Sequence, residues 1–264
     1  MILSNNTRAK IYDRDRYIDL YRNHNDAVVY FGDIRSKDYG IYLTDIQIAN
    51  SPKRDLSFVS VPGCNGDLIV DNNRWKNLDI VYSFAIPTGF AKSFDAFKAA
   101  LLTLNGYVQL SDSIYPDYFR VAIVKEPIKP TVMRLNRTGV FDVTFHCKPQ
   151  RFLKSGTNPR EITEPTNWHN RYGFEAKPLI TVYGSGAGTL TIGDTTVEIK
   201  NMTDQLTLDC ERQTAYRQIG DGAPENMNSN IYAPSFPVLG KGDIAIGWTG
   251  GVTKVDIIPR WWTI

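Results

Sequence analysis

Asp209 and Glu211 stand two residues apart on a stretch that reads as a strand. On a pleated strand both carboxylates would share one face, at a separation a pair of glycosidase carboxylates could use. Two acids on a wet strand face are far more commonly a solvated surface, and general acid/base chemistry would need a cleft around them. Gly184-Ser185-Gly186-Ala187-Gly188 has the glycine density of a phosphate cradle. A cradle must open a helix, whereas Thr189 to Ile192 reads as a strand, so the segment is expected to be a hairpin turn. His24, His146 and His169 are isolated from one another and from the cysteines, and read as surface histidines. Cys64, Cys147 and Cys210 are widely spaced and odd in number, which excludes a disulfide framework and a four-cysteine zinc site. Asp67 and Asp71 are expected to cap turns, since no calcium-loop pattern follows them. No serine sits in a Gly-x-Ser-x-Gly elbow. The expectation is a chain with no catalytic, cofactor-binding or metal site, and not an enzyme.

Contact chemistry is better represented. Phe58, Val59, Val61, Pro62, Gly63, Asn65, Gly66, Asp67 and Leu68 form two apolar runs around a turn. Asn65-Gly66 suits a type I′ hairpin turn, and Pro62 withholds a backbone donor, which would confine its strand to a sheet edge. A hairpin with a free edge can add a strand to another chain, so these residues are the candidate inter-subunit arm. Trp248, Trp261 and Trp262 are candidate domain or partner contacts. Tryptophans also stack on sugars, but successive residues on a strand point to opposite faces, so one of Trp261 and Trp262 is expected to fill the core.

The elements that position these residues follow from periodicity. Leu78, Ile80, Tyr82 and Phe84 alternate with polar neighbours, as do Phe141, Val143, Phe145 and Cys147, which predicts antiparallel sheet with one wet face. Phe90, Phe94, Phe97, Leu101 and Leu104 recur at three and four residue spacing and predict one amphipathic helix over about 91–105, with Gly106 ending it. Residues 153–176 lose periodicity and read as a linker or long loop. After them come short strands at 179–183, 190–192, 197–199, 206–208, 244–248 and 252–258, the spacing of a β-sandwich. Residues 1–27 read as an extension of uncertain structure, 28–152 as a β domain with the helix, and 177–264 as a sandwich domain.

The 264 residues are enough for two ordinary domains. With 30 basic and 28 acidic residues the net charge is only +2, far from the concentrated positive charge that grips phosphate backbones. Neither a secretory leader nor an apolar run of membrane-spanning length is expected from the pattern.

Several blocks, in order, resemble the distal tail proteins of bacteriophages with long, non-contractile tails. Tyr30 to Gly40 looks like that family's usual beginning, and Val61-Pro62-Gly63-Cys64-Asn65-Gly66-Asp67-Leu68 like its signature loop. Cys147 to Phe152, Lys177 to Gly186, Leu208 to Glu211 with Ala215-Tyr216, Phe236 to Leu239 with Gly242-Asp243, and Ile257 to Trp262 are similar to later blocks. Cys64 and Asn65 stand where the family usually carries a charged pair, which removes any salt bridge that pair would make.

The resemblance implies a mainly β protein whose N-terminal domain, with its single helix, closes a homohexameric ring, and whose C-terminal domain is a galectin-like β-sandwich. It implies a structural hub at the distal end of the virion tail, synthesised in the host cytoplasm. The hub would join the tail tube protein to the tail-associated lysin or fibre protein and to receptor-binding proteins, around a lumen for DNA. No cofactor, no specific nucleic-acid binding and no membrane insertion is implied. The alternative is a carbohydrate-binding adhesin module that recognises the host cell wall.

Overall fold

A computed structural model describes residues 27–46, 51–133, 137–220 and 222–264, so the extension expected at 1–27 lies, except for Ala27, outside the described residues. The chain divides into two compact units, residues 1–151 with residue 264, and residues 152–263. Among the described residues the architecture is mainly β, with antiparallel sheets and one α-helix.

The first unit begins with β1 (Val29–Phe31), β2 (Ile34–Arg35), β3 (Tyr42–Ile46), β4 (Arg54–Ser60), β5 (Asp67–Trp75) and β6 (Leu78–Ile86). Helix α1 (Phe90–Thr103) follows, then β7 (Val108–Asp112), β8 (Tyr118–Val124), β9 (Pro130–Met133) and β10 (Thr138–Cys147). The main sheet runs β2-β1-β7-β8-β10-β6-β3, and β9 pairs with the start of β10 where β8 does not reach. Strands β6 and β10 pair along nine residues, from Gly139 opposite Ile86 to Cys147 opposite Leu78. Their alternation buries Leu78, Ile80, Tyr82, Phe84, Ile86, Phe141, Val143 and Phe145 on one face.

Helix α1 lays its stripe of Phe90, Phe94, Phe97 and Leu101 on that buried face. The Phe94 and Phe97 rings meet Phe141 and Phe84 edge-on, at 5.1 and 5.8 Å between centroids. The helix stops earlier than expected. Leu104 turns extended, with ψ of 124°, and packs against the core, so Gly106 lies three residues past Thr103 rather than at the helix end. One polar group is taken into this core with its partners. The Tyr82 hydroxyl donates to Asp112 at 2.9 Å, and the other Asp112 oxygen accepts the amides of Ile114 and Tyr115 at 2.9 and 2.7 Å. Burial pushes the pKa of the Tyr82 hydroxyl well above its ordinary value, with the neighbouring Asp112 adding to the effect.

After β11 (Arg151–Leu153), the second unit contains β12 (Arg160–Ile162), β13 (Thr166–Asn170), β14 (Leu179–Ile192) and β15 (Thr195–Asp209). It continues with β16 (Thr214–Arg217), β17 (Glu225–Asn226), β18 (Ile231–Tyr232), β19 (Gly242–Ile258) and β20 (Trp262–Thr263). The order is β12-β19-β14-β15-β16-β17, with β13 pairing the first part of β19 and β18 pairing β15. Two corrections to the sequence reading arise here. Residues 153–176 are not a linker, because β12 and β13 hydrogen-bond to β19 along Ile162–Val255 and Thr166–Ile246. They are edge strands of three and five residues with mostly exposed side chains, too short and too wet to display alternation.

The pairs of short strands expected on either side of residues 184–188 are also single long strands. Strands β14, β15 and β19 each continue through this region in one sheet, with register shifts in the β14 pairings at Gly184 to Gly188. The glycines do not form a hairpin turn. They let β14 and β19 cross in near backbone contact. A Cβ at Gly188 would lie 2.7 Å from the Thr249 carbonyl oxygen, one at Gly250 would lie 2.6 Å from that of Ala187, and one at Gly251 would overlap the Ser185 carbonyl.

Candidate functional site

Strands β4 and β5 pair with each other in a sheet of two, and both outer edges carry no partner strand among the described residues. The register sets Ser57 opposite Val70, Phe58 opposite Ile69, Val59 opposite Leu68 and Ser60 opposite Asp67. Of the candidate residues, Phe58 and Val59 thus lie on β4, Asp67 and Leu68 on β5, and Val61, Pro62, Gly63, Asn65 and Gly66 in the connecting loop. The turn differs from the expected one. The Cys64 amide donates to the Val61 carbonyl at 3.1 Å across Pro62 and Gly63, and Gly63 has φ of 83°. Proline followed by a positive-φ glycine is a type II turn, within a six-residue loop rather than a two-residue type I′ turn at Asn65-Gly66. Asn65 is not among the positive-φ residues. Pro62 sits at the turn rather than in a strand, so the free edges come from the two-stranded sheet itself.

The hairpin is apolar on both faces and exposed on both. Opposed residues share a face, so Phe58 and Ile69 lie on one side, and Val59, Leu68 and Val70 on the other. Phe58 is 61% exposed, Leu68 and Ile69 each 59%, and Val59, Val61 and Val70 remain between 41 and 47%. A strand that is apolar on both faces normally belongs inside a protein, and a contiguous exposed patch of this kind marks a contact surface. Covering these six half-exposed side chains would be worth on the order of 5–9 kcal/mol before ordering and association costs.

The base of the hairpin is stiffened by charge. Arg74 and Lys76 reach the two carboxylate oxygens of Asp55 at 2.6 and 3.1 Å, and Arg54 meets Asp71 at 2.8 Å while lying over the Trp75 ring. The Arg74 and Lys76 bonds hold the Asp55 carboxyl below the usual carboxylate range. Sequence reading named Asp71 only as a turn cap, which its bond from the Asn73 amide at 2.8 Å fits, and did not single out Ile69, Val70, Arg54, Asp55, Arg74 or Lys76. The apolar run through Val70 was legible, but the ion pairs link residues 17 to 21 apart and follow no local pattern.

The carboxylates that suggested hydrolysis are placed differently from each other. Asp209 ends β15 with 8% of its side chain exposed and is held by the Arg260 guanidinium at 2.8 Å, whereas Glu211 lies in the following turn with 58% exposed. Asp209 also accepts the amides of Glu211 and Arg212 at 3.2 and 3.3 Å, so it closes the turn. Burial pushes the Asp209 carboxyl up, and the Arg260 bond and charge with the two amides outweigh it, leaving the carboxyl below its usual range. Because the folded pKa is depressed, the stabilisation is present above the unfolded value of about 4 and is lost as pH falls through the folded one. Asp209→Asn is expected to cost roughly 1–3 kcal/mol at neutral pH, with the difference from the parent chain shrinking below about pH 4. Thermal melts across that range check it, and a pH-independent difference would mean that the ion pair is not the cause.

Cys147 and Cys210 are buried, and burial pushes both thiols up to about 12, whereas Cys64 is exposed in the hairpin loop. His146 and His169 each lie 2.6 Å from a carboxylate, Asp79 and Asp243 respectively. Trp261 is buried against Trp168 and Tyr172. Trp262 is half-buried, stacks on Phe174 at 4.5 Å and donates its indole N–H to the Glu175 carbonyl at 2.8 Å. Trp248 is half-buried on β19, opposite Leu190 of β14. Among the described residues no His, Cys, Asp and Glu cluster could hold a metal ion, and no helix is long and apolar enough to cross a membrane.

The most concentrated exposed apolar feature among the described residues is therefore the hairpin of β4 and β5. The chain has the fold of a phage tail hub protein. It is similar to the crystal structure of the Dit protein of phage SPP1, described as a paradigm of the hub adsorption apparatus in phages that infect Gram-positive bacteria. The TM-score is 0.66 at 10% identity, covering 88% of this chain and 98% of that one. A chain of the phage P2 baseplate in its activated conformation with Ca aligns at a TM-score of 0.47 and 10% identity, over 88% of this chain and 96% of that one. No protein-family model and no curated protein matches the sequence.

Proposed function

We propose that this chain is a structural, non-enzymatic virion protein, the hub at the distal end of a phage tail. Six copies close a ring through residues 28–152, while residues 177–264 form an outer sandwich that offers a docking surface. The ring joins the tail tube to the tail-tip fibre or lysin protein and to receptor-binding proteins, and DNA passes through its lumen. The chain would be made in the host cytoplasm and built into the virion there.

The observation that carries this reading is the hairpin of β4 and β5, apolar and exposed on both faces with both strand edges open. A separate chain needs no such projection, and a ring contact does. The fold likeness to the SPP1 hub along 88% of the chain supports the same reading. A net charge of +2 suits a lumen that lets a polyanion pass without holding it. The adhesin reading is weaker, because Trp261 and Trp262 are spent on internal stacking and hydrogen bonding. Negative-stain images of the purified protein are expected to contain six-fold rings with an open centre. A field of single chains at micromolar concentration contradicts the proposal.

A further inference from the structure

The hairpin needs a receiving surface, and the described residues of its own chain do not supply one, since Phe58, Leu68 and Ile69 all remain about 60% exposed. We infer that it seats on the face of the β3–β6–β10 sheet opposite the helix, in a neighbouring copy of this chain. This rests on the ring reading and names the contact that would build the ring.

Helix α1 covers one face of that sheet, and among the described residues of this unit no helix covers the other. Cross-strand register places Tyr42, Ala85 and Val140 in one row on the open face, with Thr131 of β9 beside Val140. Val140 is 39% exposed, unusual for a valine in the middle of a sheet, and Tyr42 and Ala85 are half-buried. The adjoining row carries Asp45, Ser83 and Asp142, with both acids exposed. The open face thus presents an apolar row beside an acidic one.

The hairpin carries the complement. Its outer half is apolar, and at its base Asp55 and Asp71 are already engaged by arginine and lysine, with 11 and 31% of their side chains exposed. The charge left facing outward at that base is basic, from Arg74, Arg54 and Lys76, with 71, 52 and 49% of their side chains exposed, while the exposed Asp67 lies at the other end beside the loop. Apolar meets apolar and base meets acid in one placement. The seven residues of β4 reach roughly 23 Å, more than the ~14 Å occupied by three neighbouring strands. Hairpin and receiving face are different surfaces of the same chain, so the contact is head-to-tail and propagates until it closes.

Cross-linking tests the pairing. In a Cys64→Ser background the two remaining cysteines are buried. Ser57→Cys or Ser60→Cys adds a thiol to one face or the other of the hairpin, and Thr131→Cys adds one beside Val140. With a short bismaleimide, at least one of the two double variants is expected to give a covalent ladder from dimer to hexamer, and each single variant to stop at dimer. Val140→Asp is expected to reduce the ring population at least about ten-fold without changing the thermal midpoint. Rings that form while neither double variant passes dimer, or rings unaffected by Val140→Asp, overturn this contact and leave the ring reading standing. If the Cys64→Ser protein forms no rings, both fall.

Discussion

Phe58→Ser, Leu68→Ser and Ile69→Ser together are expected to convert the proposed ring to single chains while the thermal midpoint moves by less than about 2 °C. These three are the most exposed large apolar side chains of the hairpin, at 59 to 61%, so they contribute little to the chain's own core. Removing them forfeits roughly half of the apolar area available to a neighbour, a loss of several kcal/mol per contact. Every contact in a closed ring repeats that loss, so association collapses rather than weakens. The two-stranded sheet keeps its type II turn and its basal ion pairs, so the hairpin survives as a more polar arm. Sedimentation or light scattering reads the first effect and calorimetry the second. A midpoint lowered by many degrees would mean that the hairpin belongs to a folded core after all.

Gly251→Ala acts in the opposite way, on the fold of the second unit and not on self-association. The added Cβ would overlap the Ser185 carbonyl oxygen, a backbone atom that cannot rotate aside. Relief requires β14 and β19 to separate where their register shifts, which breaks the ladder on either side. A cost on the order of 3 kcal/mol follows from comparable backbone strain, enough to lower the midpoint of the second unit by about 10 °C. Gly186→Ala serves as the comparison, because no neighbouring atom lies within 4 Å of its added Cβ, although its φ of 81° still carries strain. Equal effects of the two substitutions would show that backbone dihedral strain, not close approach, explains the glycines.

These two sites also show where the sequence was legible. The alternation of Leu78, Ile80, Tyr82 and Phe84 reads directly as β6, and the phenylalanine stripe of α1 as a helix on its sheet, because each is a local period imposed by one face of burial. The glycine-rich segment could not be read in this way. Gly184 to Gly188 has a composition that serves a hairpin turn equally well, and its actual role depends on Gly250 and Gly251, more than sixty residues downstream. Strands β12 and β13 escaped for a related reason, since their pairing with β19 is long-range and their exposed side chains show no period.

The candidate arm lies between these cases. Two apolar runs around Pro62-Gly63 announced a hairpin, and the register gives its strands as Arg54–Ser60 and Asp67–Trp75. The loop was misassigned because Asn65-Gly66 is the stronger two-residue signal, whereas Pro62-Gly63 supplies the fixed φ and the positive φ of the turn the chain uses. That both faces are apolar follows from Phe58 and Val59 being adjacent, as are Leu68 and Ile69, which places one residue of each pair on either side.

Sedimentation equilibrium of the full chain at micromolar concentration is expected to return six chains of 29.8 kDa, about 179 kDa, with no change on several-fold dilution. A mass of 29.8 kDa, the single chain, at every concentration would contradict the proposed ring.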